Sequence, residues 1–203
     1  MKIAFVVFNG LTTLDFIGIY DPLTRLKTMG FLPDLEWDIC AHTDIVKDDR
    51  GLVLVPTAIQ EPFQSYDVLV VPGGYGTRAL IQDKKIIEWI KTAGPCKLKV
   101  SVCTGALLLG VAGFLSDKRA TTHRSAFREL EPFCQTVLDH RIVDERDIIT
   151  ARGVSSGIDV GLYVVERLAG AEARLKIARQ MDYPYNLRPE DVAQSPPHRS
   201  TRG

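Results

Sequence analysis

The sequence predicts a doubly wound α/β fold, a mostly parallel sheet flanked by helices. Short apolar, β-branched runs alternate along the chain with segments of helical period, which is the signature of βαβ units. The runs are apolar throughout rather than alternating, as strands covered on both faces must be. Three of them end in turn-forming or small residues, at Asn9-Gly10, Pro72-Gly73-Gly74 and Cys103-Thr104-Gly105. In such sheets ligands bind beyond the carboxyl ends of the strands.

With 203 residues, 45% of them hydrophobic, the chain suits one compact domain, residues 1–183, followed by a loosely held tail, 184–203, rich in Pro, Arg and Ser. Lys+Arg and Asp+Glu are both 25, so no field favours a phosphate backbone and no nucleic-acid partner is expected. A neutral surface is compatible with self-association. The four cysteines, Cys40, Cys96, Cys103 and Cys134, show no CxxC spacing, which gives no metal site and suits a reduced, cytoplasmic setting. The apolar run Ile3–Phe8 is too short for a signal-peptide core or a membrane span, and no membrane partner is expected.

Lys2–Phe8 reads as the first strand. Thr12-Thr13-Leu14-Asp15 opens a helix carrying Phe16, Ile17, Tyr20, Leu23 and Leu26 on one face, with a kink or restart expected at Pro22. Leu35–Cys40 is a second strand, and Asp48–Gly51 turns a hairpin within Ile45–Pro56. Val68–Val71 is a strand stopped by Pro72-Gly73-Gly74, and Ile86, Ile87, Trp89 and Ile90 mark the next helix. Lys99–Val102 then runs into the elbow at Cys103. Arg119–Thr122 reads as a short strand, Ser125–Glu131 as a short helix, and Arg141–Ala151 as two strands around Glu145-Arg146-Asp147. Two helices, Gly157–Leu168 and Ala171–Met181, are separated by Gly170.

The elbow organises the site. A strand that turns sharply into a helix needs small neighbours, which Gly105 provides, and a thiol at a helix N-terminus is expected to be stabilised as thiolate. Cys103 alone is equally a piece of core, since free cysteine is commonly buried. Asp15 is either the cap of its helix or an acid/base partner for the sulfur. Two groups that both favour negative charge couple their titrations and share a proton. Gly73-Gly74 is either a tight turn or a place where the Gly74 N–H, with that of Thr104, meets developing negative charge. Thr104 itself either caps the helix or holds substrate. His123, twenty residues beyond the cysteine, is either structural or catalytic.

Val70-Val71-Pro72-Gly73-Gly74, Ser101-Val102-Cys103-Thr104-Gly105 and Arg119-Ala120-Thr121-Thr122-His123 together resemble the ThiJ/PfpI superfamily, from Met1 to about Tyr183. The resemblance implies a flavodoxin-like, class I glutamine-amidotransferase-like sandwich with a cysteine nucleophile elbow. Thr13-Leu14-Asp15-Phe16, and Thr104 rather than histidine after the cysteine, are similar to its isonitrile hydratase branch. That branch implies hydration of an isonitrile to an N-substituted formamide through a Cys103 thioimidate, with Asp15 as acid/base. Thr104 would be catalytic too, Gly73, Gly74 and His123 would meet the substrate, and no metal or organic cofactor would take part. A homodimer is implied as well. Arg124 departs from the aromatic that relatives often carry after the histidine. No His-x-Glu pair of a glutamine amidotransferase is present, and no helix-turn-helix pair of the kind found in AraC-type regulators is expected in the tail. Glyoxalase-type or other hydrolase/lyase chemistry of the same thiol, a redox sensor and a ligand-binding regulatory domain are the alternatives.

Overall fold

The computed structural model describes residues 1–184 and 188–195. Along the chain, β1 (Lys2–Val6) leads into α1 (Thr13–Thr28), and β2 (Glu36–Ala41) follows. A hairpin of β3 (Val46–Lys47) and β4 (Val53–Leu54) precedes the short β5 (Ala58–Ile59). Next come β6 (Val68–Val71), α2 (Thr77–Leu80), α3 (Lys84–Lys91), β7 (Leu98–Val102) and the elbow helix α4 (Gly105–Val111). The segment beyond holds β8 (Arg119–Ala120), α5 (Phe127–Leu130) and β9 (Thr136–Val137). After it come β10 (Ile142–Asp144), β11 (Ile148–Ala151), α6 (Ser156–Gln180) and β12 (Val192–Gln194).

Eight strands form one sheet in the order β12-β10-β11-β7-β6-β1-β2-β5, parallel except where β10 meets β11. This is the doubly wound, mostly parallel sheet that the alternation of runs predicts. All of β6 and β7 is buried, and so is β1 after Lys2, which explains why these strands read as unbroken apolar runs. The exception in β7 is Lys99. Its stem lies in the core, while its Nζ donates to the Cys96 carbonyl at 2.8 Å and sits 5.1 Å above the Phe114 ring.

The register sets the site. Val71 pairs with Ser101, and Phe5 with Val70, so β1, β6 and β7 are neighbours whose carboxyl ends open on one crevice. On one face of the sheet α1 packs against α6. Gly18 approaches Gly157 closely enough that a Cβ on either would crowd the other backbone, and Gly161 makes room for the Pro22 ring. α1 runs as one helix through Pro22, with no restart, and the ring packs against Gly161 of α6.

Two further expectations meet different outcomes. Gly170 does break the last helical segment, with φ 86° and ψ 171°, and divides it as the sequence reading proposed. The tail is not uniformly without structure. β12 lies within it and pairs with β10 in parallel, and Gln194 Nε2 donates to the Tyr163 hydroxyl at 2.6 Å. The remainder of the tail expectation, residues 185–187 and 196–203, falls outside the described residues.

Candidate functional site

Cys103 stands at the end of β7 with φ 56°, in the left-handed region that a β-carbon disfavours. The conformation is enforced from both sides. Its N–H donates to the Ala151 carbonyl at 3.0 Å, and its carbonyl accepts the Thr122 hydroxyl at 2.8 Å. Gly105 follows because a Cβ there would collide with the Val71 carbonyl oxygen. The sharp elbow read from the sequence is therefore present, and its strain is held by buried hydrogen bonds.

Asp15 lies in the first turn of α1, wholly buried. It does not cap the helix. Thr12 is the N-cap residue, and no side chain closes that end. Neither Asp15 oxygen has a partner in hydrogen-bond geometry among the described residues. The Cys103 thiol and the Gly73 amide face the carboxyl, and a Cβ on Gly73 would come within 2.9 Å of Oδ2. Burial therefore dominates, pushing the Asp15 pKa from 3.8 to about 6, against a smaller downward pull from Cys103 and Gly73.

The sulfur is displaced the same way. Burial first, and then the neighbouring Asp15 charge, raise the Cys103 thiol from 9.0 to about 12, while the Thr104 amide and hydroxyl pull it back. The expectation of a stabilised resting thiolate is thus overturned. The turn amides at the start of α4 are outweighed by desolvation and by a buried carboxylate. Both groups are thus held toward their protonated forms, the thiol more strongly, so a proton shared by the pair favours sulfur over the carboxyl.

The glycine pair also differs from expectation. The Gly74 N–H donates to the Thr104 Oγ1 at 3.0 Å, so it is committed to a side chain rather than pointed into the crevice. Thr104 begins α4 without capping it, and its hydroxyl is bound instead into a buried cluster with Gly74 and Thr77. A Cβ on Gly73 would lie 2.5 Å from the Thr104 nitrogen, so this glycine is required by close approach.

A cleft of about 320 Å³ opens over the sulfur, with Cys103, Thr104 and Gly74 in its floor. Leu14, Tyr75 and Val154 contribute apolar lining, and Arg50 and Arg78 line the cleft as well. His123 also lines the cleft. Its Nδ1 accepts the Ser125 N–H at 3.3 Å and stands 2.8 Å from the Ser125 hydroxyl. The structure thus brings together Cys103, Asp15, Thr104, Gly73 and Gly74, and places His123 on the wall.

The sequence reading did not single out Thr77 or the residues that close the near side. The hairpin is tied to the loop before α1, with Thr12 Oγ1 donating to Asp49 at 2.9 Å and Thr13 Oγ1 to Asp48 at 2.7 Å. The matching doublets Thr12-Thr13 and Asp48-Asp49 were the available signal. Among the described residues no group of His, Cys, Asp and Glu is placed to hold a metal ion, and no helix is long and apolar enough to cross a membrane.

Fold and elbow together define the class: an α/β sandwich with a strained cysteine where the central strand turns into a helix. The chain belongs to the DJ-1/PfpI family, whose model matches residues 1–167, and the ThiJ/PfpI resemblance is borne out. It is 33% identical over 202 residues to an isonitrile hydratase of Pseudomonas putida, covering 96% of this chain and 86% of that protein. It is 30% identical over 185 residues to protein DJ-1alpha of Drosophila melanogaster, covering 89% and 83%. Among solved structures, a ThiJ/PfpI family protein from Pseudomonas syringae superposes with a TM-score of 0.83 at 32% identity, over 92% of this chain and 76% of that one.

Proposed function

We propose that the protein hydrates an isonitrile, R–NC, to the N-substituted formamide. The observation that carries this reading is the wholly buried Asp15 carboxyl facing the Cys103 thiol, which itself lines the cleft. An isonitrile carbon must gain both a nucleophile and a proton on the same atom, and a thiol backed by a carboxylate supplies both from one place. The 33% identity to an isonitrile hydratase supports the same choice.

In this reading Asp15 takes the thiol proton as the sulfur attacks the terminal carbon, then delivers it to that carbon. A C–S and a C–H bond form, leaving a thioimidate. Water adds across the C=N bond, with the hydroxyl on carbon and a proton on nitrogen. The C–S bond then breaks, the electron pair returns to sulfur, and the hydroxyl proton returns to the Asp15–Cys103 pair as formamide leaves. The Thr104 hydroxyl and N–H steady negative charge on sulfur, while the Gly74 amide orients Thr104 rather than the substrate. His123 Nε2 contacts substrate from the wall. The apolar face of Leu14, Tyr75 and Val154 favours an alkyl or cycloalkyl R group. The working form is a cytoplasmic homodimer that needs no metal or organic cofactor.

The test is formamide formation from cyclohexyl isocyanide by purified protein and by Cys103→Ala. Turnover in the first and none in the second is the expected result. Turnover of methylglyoxal without any of the isonitrile would replace this reading with glyoxalase-type chemistry.

A further inference from the structure

Thr77 lies at the first position of α2, wholly buried, beside the glycine turn that follows β6. Its hydroxyl oxygen is 2.8 Å from the Gly74 carbonyl oxygen and 3.1 Å from the Thr104 Oγ1. Its backbone N–H donates to the same Gly74 carbonyl at 3.2 Å. On the outer side, Arg78 Nη1 reaches the Thr77 Oγ1 at 3.5 Å, and Arg78 is itself clamped by Glu129 at 2.9 and 2.8 Å.

These distances decide where the Thr104 proton can go. The Gly74 N–H donates to Thr104 Oγ1, so Thr104 has its own proton left to place. Two acceptors compete for it, the Gly74 carbonyl at 3.1 Å and the Cys103 sulfur. Three donors converge on that carbonyl, which has two lone pairs: the Thr77 O–H at 2.8 Å, the Thr104 O–H at 3.1 Å and the Thr77 N–H at 3.2 Å, so the Thr77 hydroxyl is the nearest competitor of Thr104.

We propose that Thr77, by competing for the Gly74 carbonyl, frees the Thr104 hydroxyl proton for the Cys103 sulfur and so acts as a positioning residue for the nucleophile. Once the thiol passes its proton to Asp15, a hydrogen bond to the charged sulfur is stronger than one to a neutral carbonyl, and the hydroxyl turns inward. Without the Thr77 hydroxyl, the Gly74 carbonyl loses its nearest hydroxyl donor. Thr104 then satisfies it and turns away from the sulfur. The inference rests on Cys103 being the reactive group, as the proposed function requires, but not on the identity of the substrate.

The experiment is the rate of iodoacetamide alkylation of Cys103 at a fixed, mildly alkaline pH. The rate is read by mass on the Cys103 peptide, so that Cys40, Cys96 and Cys134 do not contribute. Thr77→Val is expected to slow alkylation roughly three- to tenfold, the equivalent of raising the thiol pKa by up to about one unit. Thr77→Ser, which restores the hydroxyl, should behave as wild type. Thr77→Ala removes the same hydroxyl by a different route and carries the test should the valine variant not fold. Unchanged alkylation in the hydroxyl-free variants overturns the proposal, as does a serine variant as slow as the valine. Slowed alkylation together with no isonitrile turnover in any form, wild type included, would remove the hydratase reading and still support the role of Thr77.

Discussion

The carboxyl of Asp15 lies behind the thiol of Cys103, sealed from solvent, and the two act on each other unequally. The Asp15 charge raises the thiol pKa, whereas the thiol, facing the carboxylate, lowers that of Asp15. The proton therefore rests on sulfur, and the carboxylate is the base that must remove it.

This arrangement fixes the pH profile of turnover. Reaction requires one proton on the pair, with Asp15 free to accept it. Below about 6 the carboxyl is protonated and cannot, whereas the thiol keeps its proton up to about 12. We expect kcat/KM for an isonitrile to rise through an apparent pKa near 6 and then stay level across the neutral and mildly alkaline range. A rise centred in the usual thiol range would instead mean that the reactive form is a free thiolate generated without Asp15 as base.

The same shift makes Asp15 a source of instability. Its folded pKa, about 6, lies above the unfolded 3.8, so the native state holds the proton more tightly. The stability that this proton confers is complete below the unfolded value and is lost as pH rises through the folded one. Relative to Asp15→Asn, wild-type protein should therefore lose about 2 kcal/mol of unfolding free energy between pH about 4 and about 7. Urea melts of both proteins across that range measure it. The asparagine variant should also lose turnover by at least about a hundredfold, the loss typical of removing an acid/base group, while its Cys103 alkylates faster because the opposing charge is gone.

Much of this was readable in the chain, and the limits have physical causes. β1, β6 and β7 announced themselves because strands buried on both faces leave no polar alternation to confuse with a helix. Gly170 and the turn at Glu145-Arg146-Asp147 were legible as local backbone chemistry. β12 was not, since a three-residue edge strand takes its pairing from β10 rather than from its own composition. At the site, the sequence placed Cys103, Asp15 and the glycine pair at converging strand ends. It could not say that the Gly74 amide turns to Thr104, because that direction depends on Thr77 and on the elbow thirty residues away. Nor could it weigh desolvation against the helix terminus at the sulfur, a balance that only burial decides.

Backbone strain at the elbow has a measurable consequence. Cys103 holds φ 56°, and any residue with a β-carbon bears that cost, roughly 1–2 kcal/mol. Cys103→Gly removes both the thiol and the strain, and Cys103→Ala removes the thiol alone. The glycine variant should be the more stable by about 0.5–1 kcal/mol after its larger loss of chain entropy. Both should be inactive. Thermal melts of the pair make the comparison, and equal or reversed stabilities would mean that the conformation carries no strain.

Two glycines of the site should separate function from folding. At Gly105 a Cβ would collide with the Val71 and Pro72 carbonyl oxygens, which belong to rigid backbone at the end of a central strand. Neither side can yield, so Gly105→Ala is expected to cost more than about 4 kcal/mol and to leave little soluble protein. At Gly73 the added atom would meet the Thr104 nitrogen at 2.5 Å, the Thr104 hydroxyl at 2.7 Å and the Asp15 Oδ2 at 2.9 Å. The nearest of the three is backbone and must shift, though the contact is less severe than the 2.1 Å at Gly105 and the other two are side-chain atoms, so Gly73→Ala should fold with a loss of about 2–4 kcal/mol. Its catalytic loss should be larger, at least about a hundredfold, because a displacement of even about 1 Å at the reacting groups has that effect. Circular dichroism melts and the isonitrile assay on both variants give the result. A folded Gly73→Ala with wild-type turnover would show that the Thr104 and Asp15 positions do not matter to the chemistry.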